Sequence, residues 1–136
     1  MTKALRAKNH PAVKFLAEEG DRQHLDRQKN SSMCTVYEVG IGNNIIDCAR
    51  ASDCTVVELK PDNSRSINKG RKQATDARST LNRDPDERAK LTAKNSAFGQ
   101  CKAYDYEVWC YKLCPEIDTE TNDMKSISAS WRKCAP

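Results

Sequence analysis

The sequence predicts an α/β (α+β) domain, a β-sheet of about four strands flanked by helices in the order αβββαβ. Three observations carry that expectation. The apolar residues gather in two stretches, Val36 to Val57 and Val108 to Leu113, rather than spreading along the chain. Within those stretches β-branched and aromatic residues dominate and the apolar period is close to two, the strand repeat. Between them, Ser66 to Leu81 holds no proline and a single glycine, with Ile67, Gly70, Ala74, Ala77 and Leu81 at spacings of three or four, the helix repeat.

Each element follows in turn. After Pro11, Ala12 to Gln28 carries Val13, Leu16, Ala17 and Leu25 among charges and reads as a helix interrupted near Gly20. A polar link, Lys29 to Ser32, leads to a first strand at Cys34 to Val39. Turn residues Gly40 to Asn44 and a second strand, Ile45 to Ala49, complete a hairpin. Arg50 to Asp53 makes another turn before CTVVELK, Cys54 to Lys60, which Pro61 and Asp62 stop. The helix over Ser66 to Leu81 has a face of small residues suited to close packing on a sheet. Asn82 to Asn95 contains a turn or helix start at Asp84-Pro85-Asp86 and then a charged helical stretch. YDYEVWCYKL, Tyr104 to Leu113, is the fourth strand and is expected to end at Pro115. The tail from Glu116 onward is polar up to Trp131 and has room for a short helix.

A length of 136 residues fits one domain and excludes a two-domain enzyme. No apolar run approaches the roughly 18 residues that a membrane helix needs, so no membrane partner is expected. Met1 to Pro11 has basic residues without an apolar stretch behind them, unlike a secretory signal, so export is expected to depend on another segment or machine. Seven cysteines, Cys34, Cys48, Cys54, Cys101, Cys110, Cys114 and Cys134, are an odd set, so at least one lacks a partner within the chain. They contain no CxxC pair, which argues against structural zinc. One to three disulfides are expected, with Cys48 and Cys54 placed to face each other across a turn. His10 and His24 lie in the polar N-terminal region, which argues against a cysteine nucleophile.

Charge is unevenly distributed. The net charge is +4, yet residues 60–102 are strongly basic and follow directly on an acidic, strand-rich stretch, 31–59. Lys69, Arg71, Lys72 and Arg78 on the predicted helix, with Arg65 just before it, form a candidate phosphate-binding surface. In Val56-Val57-Glu58-Leu59-Lys60 the period of two sends Glu58 and Lys60 to one face and Val57 and Leu59 to the other. On the preceding strand Asp47 shares a face with Ile45, while Ile46 and Cys48 turn the other way. Pairing the two strands brings Asp47 beside Glu58. Two adjacent carboxylates are costly unless a positive charge lies between them, and a hard divalent cation meets that need. Lys60 beside it is placed to assist an attacking water or to stabilise charge on a phosphate oxygen.

Asp47, ten intervening residues and Glu58-Leu59-Lys60, framed by a helix, three strands, a helix and a strand, resemble the PD-(D/E)XK nuclease superfamily, the fold of restriction endonucleases. IIDCARASDCTVVELKPDNSRSINKGRKQ is further similar to the nuclease toxin domains at the C-termini of bacterial polymorphic toxins and of type VI and contact-dependent effectors. There a VVELKP-like strand precedes an Asn, a Lys-Gly step and a Gln, matched here by Asn63, Lys69-Gly70 and Gln73. The likeness covers residues 36–81, and Ile46 replaces the proline of the superfamily's name.

The resemblance implies a restriction-endonuclease-like core with a central mixed sheet, forming one toxin domain of a larger effector. It implies that Asp47 and Glu58 hold Mg²⁺ or Mn²⁺, that Lys60 is the catalytic lysine, and that Gln73 reaches the site from the helix. A third carboxylate would be Glu38 or, as is commoner in the superfamily, one from the first helix, Glu18 or Glu19. The implied activity is a DNase delivered into the cytoplasm of a competitor cell, with an acidic immunity protein facing Arg65, Lys69, Arg71 and Lys72. An RNase or tRNase on the same fold, or a nucleic-acid-binding module without catalysis, remains the alternative.

Overall fold

The computed structural model describes residues 19, 20, 22, 23, 27, 28, 32–122 and 124–135. Its centre is a five-stranded sheet with strand order β1-β2-β3-β4-β5. The strands are β1 (Val36–Ile41), β2 (Asn44–Arg50), β3 (Thr55–Pro61), β4 (Asp105–Ile117) and β5 (Met124–Ala135). Helices α1 (Ser64–Arg83) and α2 (Pro85–Lys94) and a 3-10 turn (Ser96–Gln100) connect β3 to β4. Because that connection crosses over, β3 and β4 run parallel, whereas β1–β2, β2–β3 and β4–β5 are antiparallel. The sheet is therefore mixed, and it has one strand more than the sequence predicts.

α1 forms where the helix repeat places it. The Asn63 side chain accepts a hydrogen bond from the Ser66 backbone N–H at 2.9 Å and caps the first turn. Gly70, Ala74, Ala77 and Leu81 make the buried stripe. Ala77 and Leu81 join Val39, Ile41, Ile46, Val56 and Phe98 in one core layer, while Ala74 packs with Val108 and Cys110. Asp84 caps α2 through the Asp86 N–H, with Pro85 in the first helical turn.

The opposite face of the sheet buries Met33, Cys48, Val57 and Leu59, with Trp109 and Trp131 packed against them. Arg27, from the helical residues 27 and 28, lays its guanidinium 5.3 Å from the Trp109 ring centre and 5.2 Å from that of Trp131.

Two expectations about the C-terminal third need correcting. β4 passes through Pro115 instead of stopping there, and the tail is the long strand β5 instead of coil with a short helix. Pairing of β4 with β3 ends at Tyr111, so beyond that point β4 has β5 as its one paired neighbour in the sheet. A proline lacks only the donor for the open side of such a ribbon, which makes it tolerable there. β5 is polar because it lies at the edge, so its sequence shows no apolar alternation.

Three disulfides form: Cys34–Cys48, Cys54–Cys101 and Cys110–Cys134, with Cys114 left free and exposed. Cys48 and Cys54 are thus not partners. Cys48 turns to the face opposite α1, where Cys34 lies, whereas Cys54 is joined to the residue that ends the 3-10 turn.

Candidate active site

β2 and β3 separate where the candidate carboxylates sit. Their backbone register runs from Arg50↔Thr55 to Cys48↔Val57 and does not continue to Asp47. On its other side β2 pairs with β1 at Val39↔Ile46 and Tyr37↔Cys48, skipping Glu38 and Asp47. Side chains replace the missing ladder. The Asp47 N–H donates to Glu58 Oε1 at 3.1 Å, and the Leu59 N–H donates to Asp47 Oδ2 at 2.7 Å. The Asp47 carbonyl accepts from Gln28 Nε2 at 3.0 Å.

This gap corrects the alternation expected for β2. Ile46 packs in the α1-side core and Cys48 in the opposite layer, although two residues apart in a regular strand they would share a face. The irregularity at Asp47 brings its carboxylate against the backbone of β3 beside Glu58.

Glu58 and Lys60 share a face as expected, with Lys60 Nζ 3.4 Å from Glu58 Oε2. Glu58 is 1% exposed. Burial, and then the nearby Asp47 carboxylate, push its pKa up to about 8, while Lys60 pulls the other way. Lys60 reaches this position across Gly70 of α1, where a built Cβ would stand 2.7 Å from Lys60 Cγ and 3.2 Å from Val108 Cγ1. Gly70 is thus the gap through which the lysine stem passes. Gln73, three residues further along α1, is partly buried, and its Oε1 is enclosed without a hydrogen-bond partner among the described residues.

The other expected residues differ in exposure and partners. Glu38 is exposed on the edge strand β1, with φ of 53°. Glu19 is buried and engaged by Arg22 and by Gln23 Nε2 at 2.8 Å; Glu18, His10 and His24 lie outside the described residues. Arg50, the other basic residue of the strand block, is committed to Asp53 and Glu107 at 2.8 and 3.0 Å. Arg65, Lys69 and Lys72 align on an exposed ridge of α1, one turn apart, and Lys72 also pairs with Asp76. Arg71 is exposed too, but it projects about 120° around the helix from Arg65. Arg78 stacks on the Tyr106 ring at 4.8 Å, so it serves the sheet as well as the basic surface.

Sequence reasoning missed Gln28. A single glutamine in a polar stretch gives no signal, and its contact with Asp47 spans 19 residues of chain.

Asp47 and Glu58 bring two carboxylates together beside Lys60, a pair of oxygen donors that a hard divalent cation would suit. Among the described residues no three His, Cys, Asp or Glu side chains gather closely enough to form a cage. No family model matches the chain, and no curated protein or solved structure is significantly similar to it.

Proposed function

We propose that this chain is a metal-dependent endonuclease of restriction-endonuclease-like fold, acting on DNA as the toxin domain of a bacterial effector. One observation carries the reading. Glu58 is a fully buried carboxylate held beside a second carboxylate, with a lysine on the same strand face. A structural ion pair needs one acid and one base. The additional acid raises the cost of ionising Glu58, and that cost has a use if a cation is to be bound.

In this reading Asp47 and Glu58 hold Mg²⁺ or Mn²⁺, which when bound supplies Lewis-acid polarisation of a phosphoryl oxygen. Lys60, threaded past Gly70, presents its ammonium at the reacting phosphate and orients the attacking water. Its three donors suit that task, and the aliphatic stem packed on α1 restricts where the charge can go. Gln73 contributes its amide from the same helix. The ridge of Arg65, Lys69 and Lys72 holds the nucleic-acid backbone, which fixes register without reading sequence. The mixed sheet, with its parallel β3–β4 crossover through α1, supports the comparison with restriction endonucleases.

A nuclease made inside its producer requires an inhibitor, and the basic ridge favours an acidic immunity protein whose binding weakens with salt. The toxin would act after delivery into the cytoplasm of a competitor cell.

The deciding experiment is cleavage of supercoiled plasmid and of structured RNA by purified protein in Mg²⁺ and in Mn²⁺. Wild type should nick plasmid, EDTA should stop it, and Glu58→Gln or Lys60→Ala should lower the rate at least about 100-fold, the range for removing one charge-stabilising or proton-handling group. Circular dichroism should show both variants folded. Cleavage of RNA alone would move the substrate to RNA. Binding without cleavage in either metal would leave a nucleic-acid-binding module and refute the enzyme.

A further inference from the structure

Gln28 is 4% exposed and follows Arg27, whose guanidinium packs on the sheet face opposite α1. Its Nε2 donates to the Asp47 carbonyl at 3.0 Å. At Asp47 the strand register with both neighbours is broken, because the Asp47 N–H is turned to Glu58 Oε1 and the Leu59 N–H to Asp47 Oδ2. The peptide carbonyl of Asp47 therefore takes its hydrogen bond from a side chain outside the sheet. A buried carbonyl without a donor is costly, and the simplest remedy would be to close the β2–β3 ladder, which would pull both carboxylates out of their present arrangement.

Gln28 is itself well held. Its neighbour Arg27 lies over the rings of Trp109 of β4 and Trp131 of β5, and Met33, in the layer that holds those rings, precedes Cys34, which is joined to Cys48. The Gln28 amide thus arrives at Asp47 beside a residue packed on β4 and β5.

We infer that Gln28 is a positioning residue: its amide holds the Asp47 peptide open, so that Asp47 and Glu58 stay at the mouth of the split between β2 and β3. The inference deepens the nuclease reading and rests on it for its functional consequence. Its geometric content is independent of that reading.

The test compares the full chain with Gln28→Met, which keeps the length and bulk of the side chain and removes the donor, and with Met33→Ala as a packing control in the same layer. Amide hydrogen exchange at Leu59, the donor to Asp47 Oδ2, reports the arrangement whether or not the protein cleaves anything. Gln28→Met should change exchange at Leu59 at least about tenfold relative to its effect on the mid-strand amides of β4, and Met33→Ala should shift both together. For cleavage, Gln28→Met should lower kcat about tenfold or more and raise the Mn²⁺ concentration for half-maximal rate, with KM for nucleic acid unchanged.

Leu59 exchange that follows β4 in Gln28→Met overturns the inference, as does an unaltered metal dependence in a protein that cleaves. If wild type is inert with every substrate and metal, the nuclease reading fails and the exchange result alone decides the role of Gln28.

Discussion

Among the described residues, Glu58 is a buried acid set beside a second acid. Burial and the neighbouring Asp47 carboxylate push its pKa up to about 8 from an ordinary 4.5, so between those pH values the folded chain holds a proton that the unfolded chain has lost. A raised carboxylate contributes stability that is fully present below about 4.5 and is lost as the pH climbs toward about 8. Asp53 and Asp62 have the opposite sign, each lowered chiefly by its hydrogen bond to an arginine, Arg50 and Arg132. The useful quantity is therefore the difference between wild type and Glu58→Gln. In EDTA the melting temperature of wild type should fall relative to that of Glu58→Gln as pH rises across that window. Millimolar Mn²⁺ at pH 8 should raise the wild-type melting temperature by mass action and leave Glu58→Gln nearly unmoved. Equal response of the two proteins to metal would remove the metal from this site. Gln28 and Gly70 show what surrounds such a group: one supplies a donor and the other only space.

At the scale of elements, α1 has two jobs set by its two faces. Its small-residue stripe lets the helix approach β3 and β4 closely enough for Lys60 to pass over Gly70. Its outer ridge carries Arg65, Lys69 and Lys72, whereas Arg71 points elsewhere. If the ridge binds backbone phosphates, replacing these three by Gln should lower the steepness of log K against log salt by up to about 3, near 0.9 for each phosphate no longer neutralised. Arg71→Gln should leave that slope nearly unchanged, well short of the roughly 0.9 expected for a residue that neutralises a phosphate. Salt titrations of binding to a short duplex in Ca²⁺, with cleavage suppressed, read both. An equal contribution from all four residues would show that nucleic acid wraps the helix and not its ridge. Most of α1 was legible beforehand, since its cap, its stripe and its charges are all local. The path of β4 and β5 was not, because an edge ribbon shows no apolar period and Pro115 looks like a stop.

Across the whole molecule, covalent links compensate for a modest core. Cys54–Cys101 joins residues 47 apart and ties the β2–β3 turn to the end of the crossover. By the chain-entropy argument a loop of that length is worth about 4 kcal/mol, against about 3 kcal/mol for the 14-residue separation of Cys34–Cys48. Cys54→Ser with Cys101→Ser should therefore lower unfolding free energy by up to about 4 kcal/mol in urea titrations, more than any other pair. A smaller loss than for Cys34→Ser with Cys48→Ser would show that strain or residual unfolded structure outweighs loop length.

What could be read from the amino acids alone was whatever depends on near neighbours. Alternation put Glu58 and Lys60 on one face of β3, and the spacing of three and four put Gly70, Ala74, Ala77 and Leu81 on one side of α1. Even the proximity of Asp47 to Glu58 was legible, because a hairpin-like succession of strands leaves few registers. Three-dimensional packing decided the rest. The break at Asp47 reverses the side chains around it, and nothing local requires it. There Gln28 and, from β3, Glu58 and the Leu59 N–H meet the backbone and carboxylate of Asp47 from two other segments of the chain. Disulfide partners and the fifth strand are likewise contacts between distant parts of the chain, and a periodicity carries no information about distance.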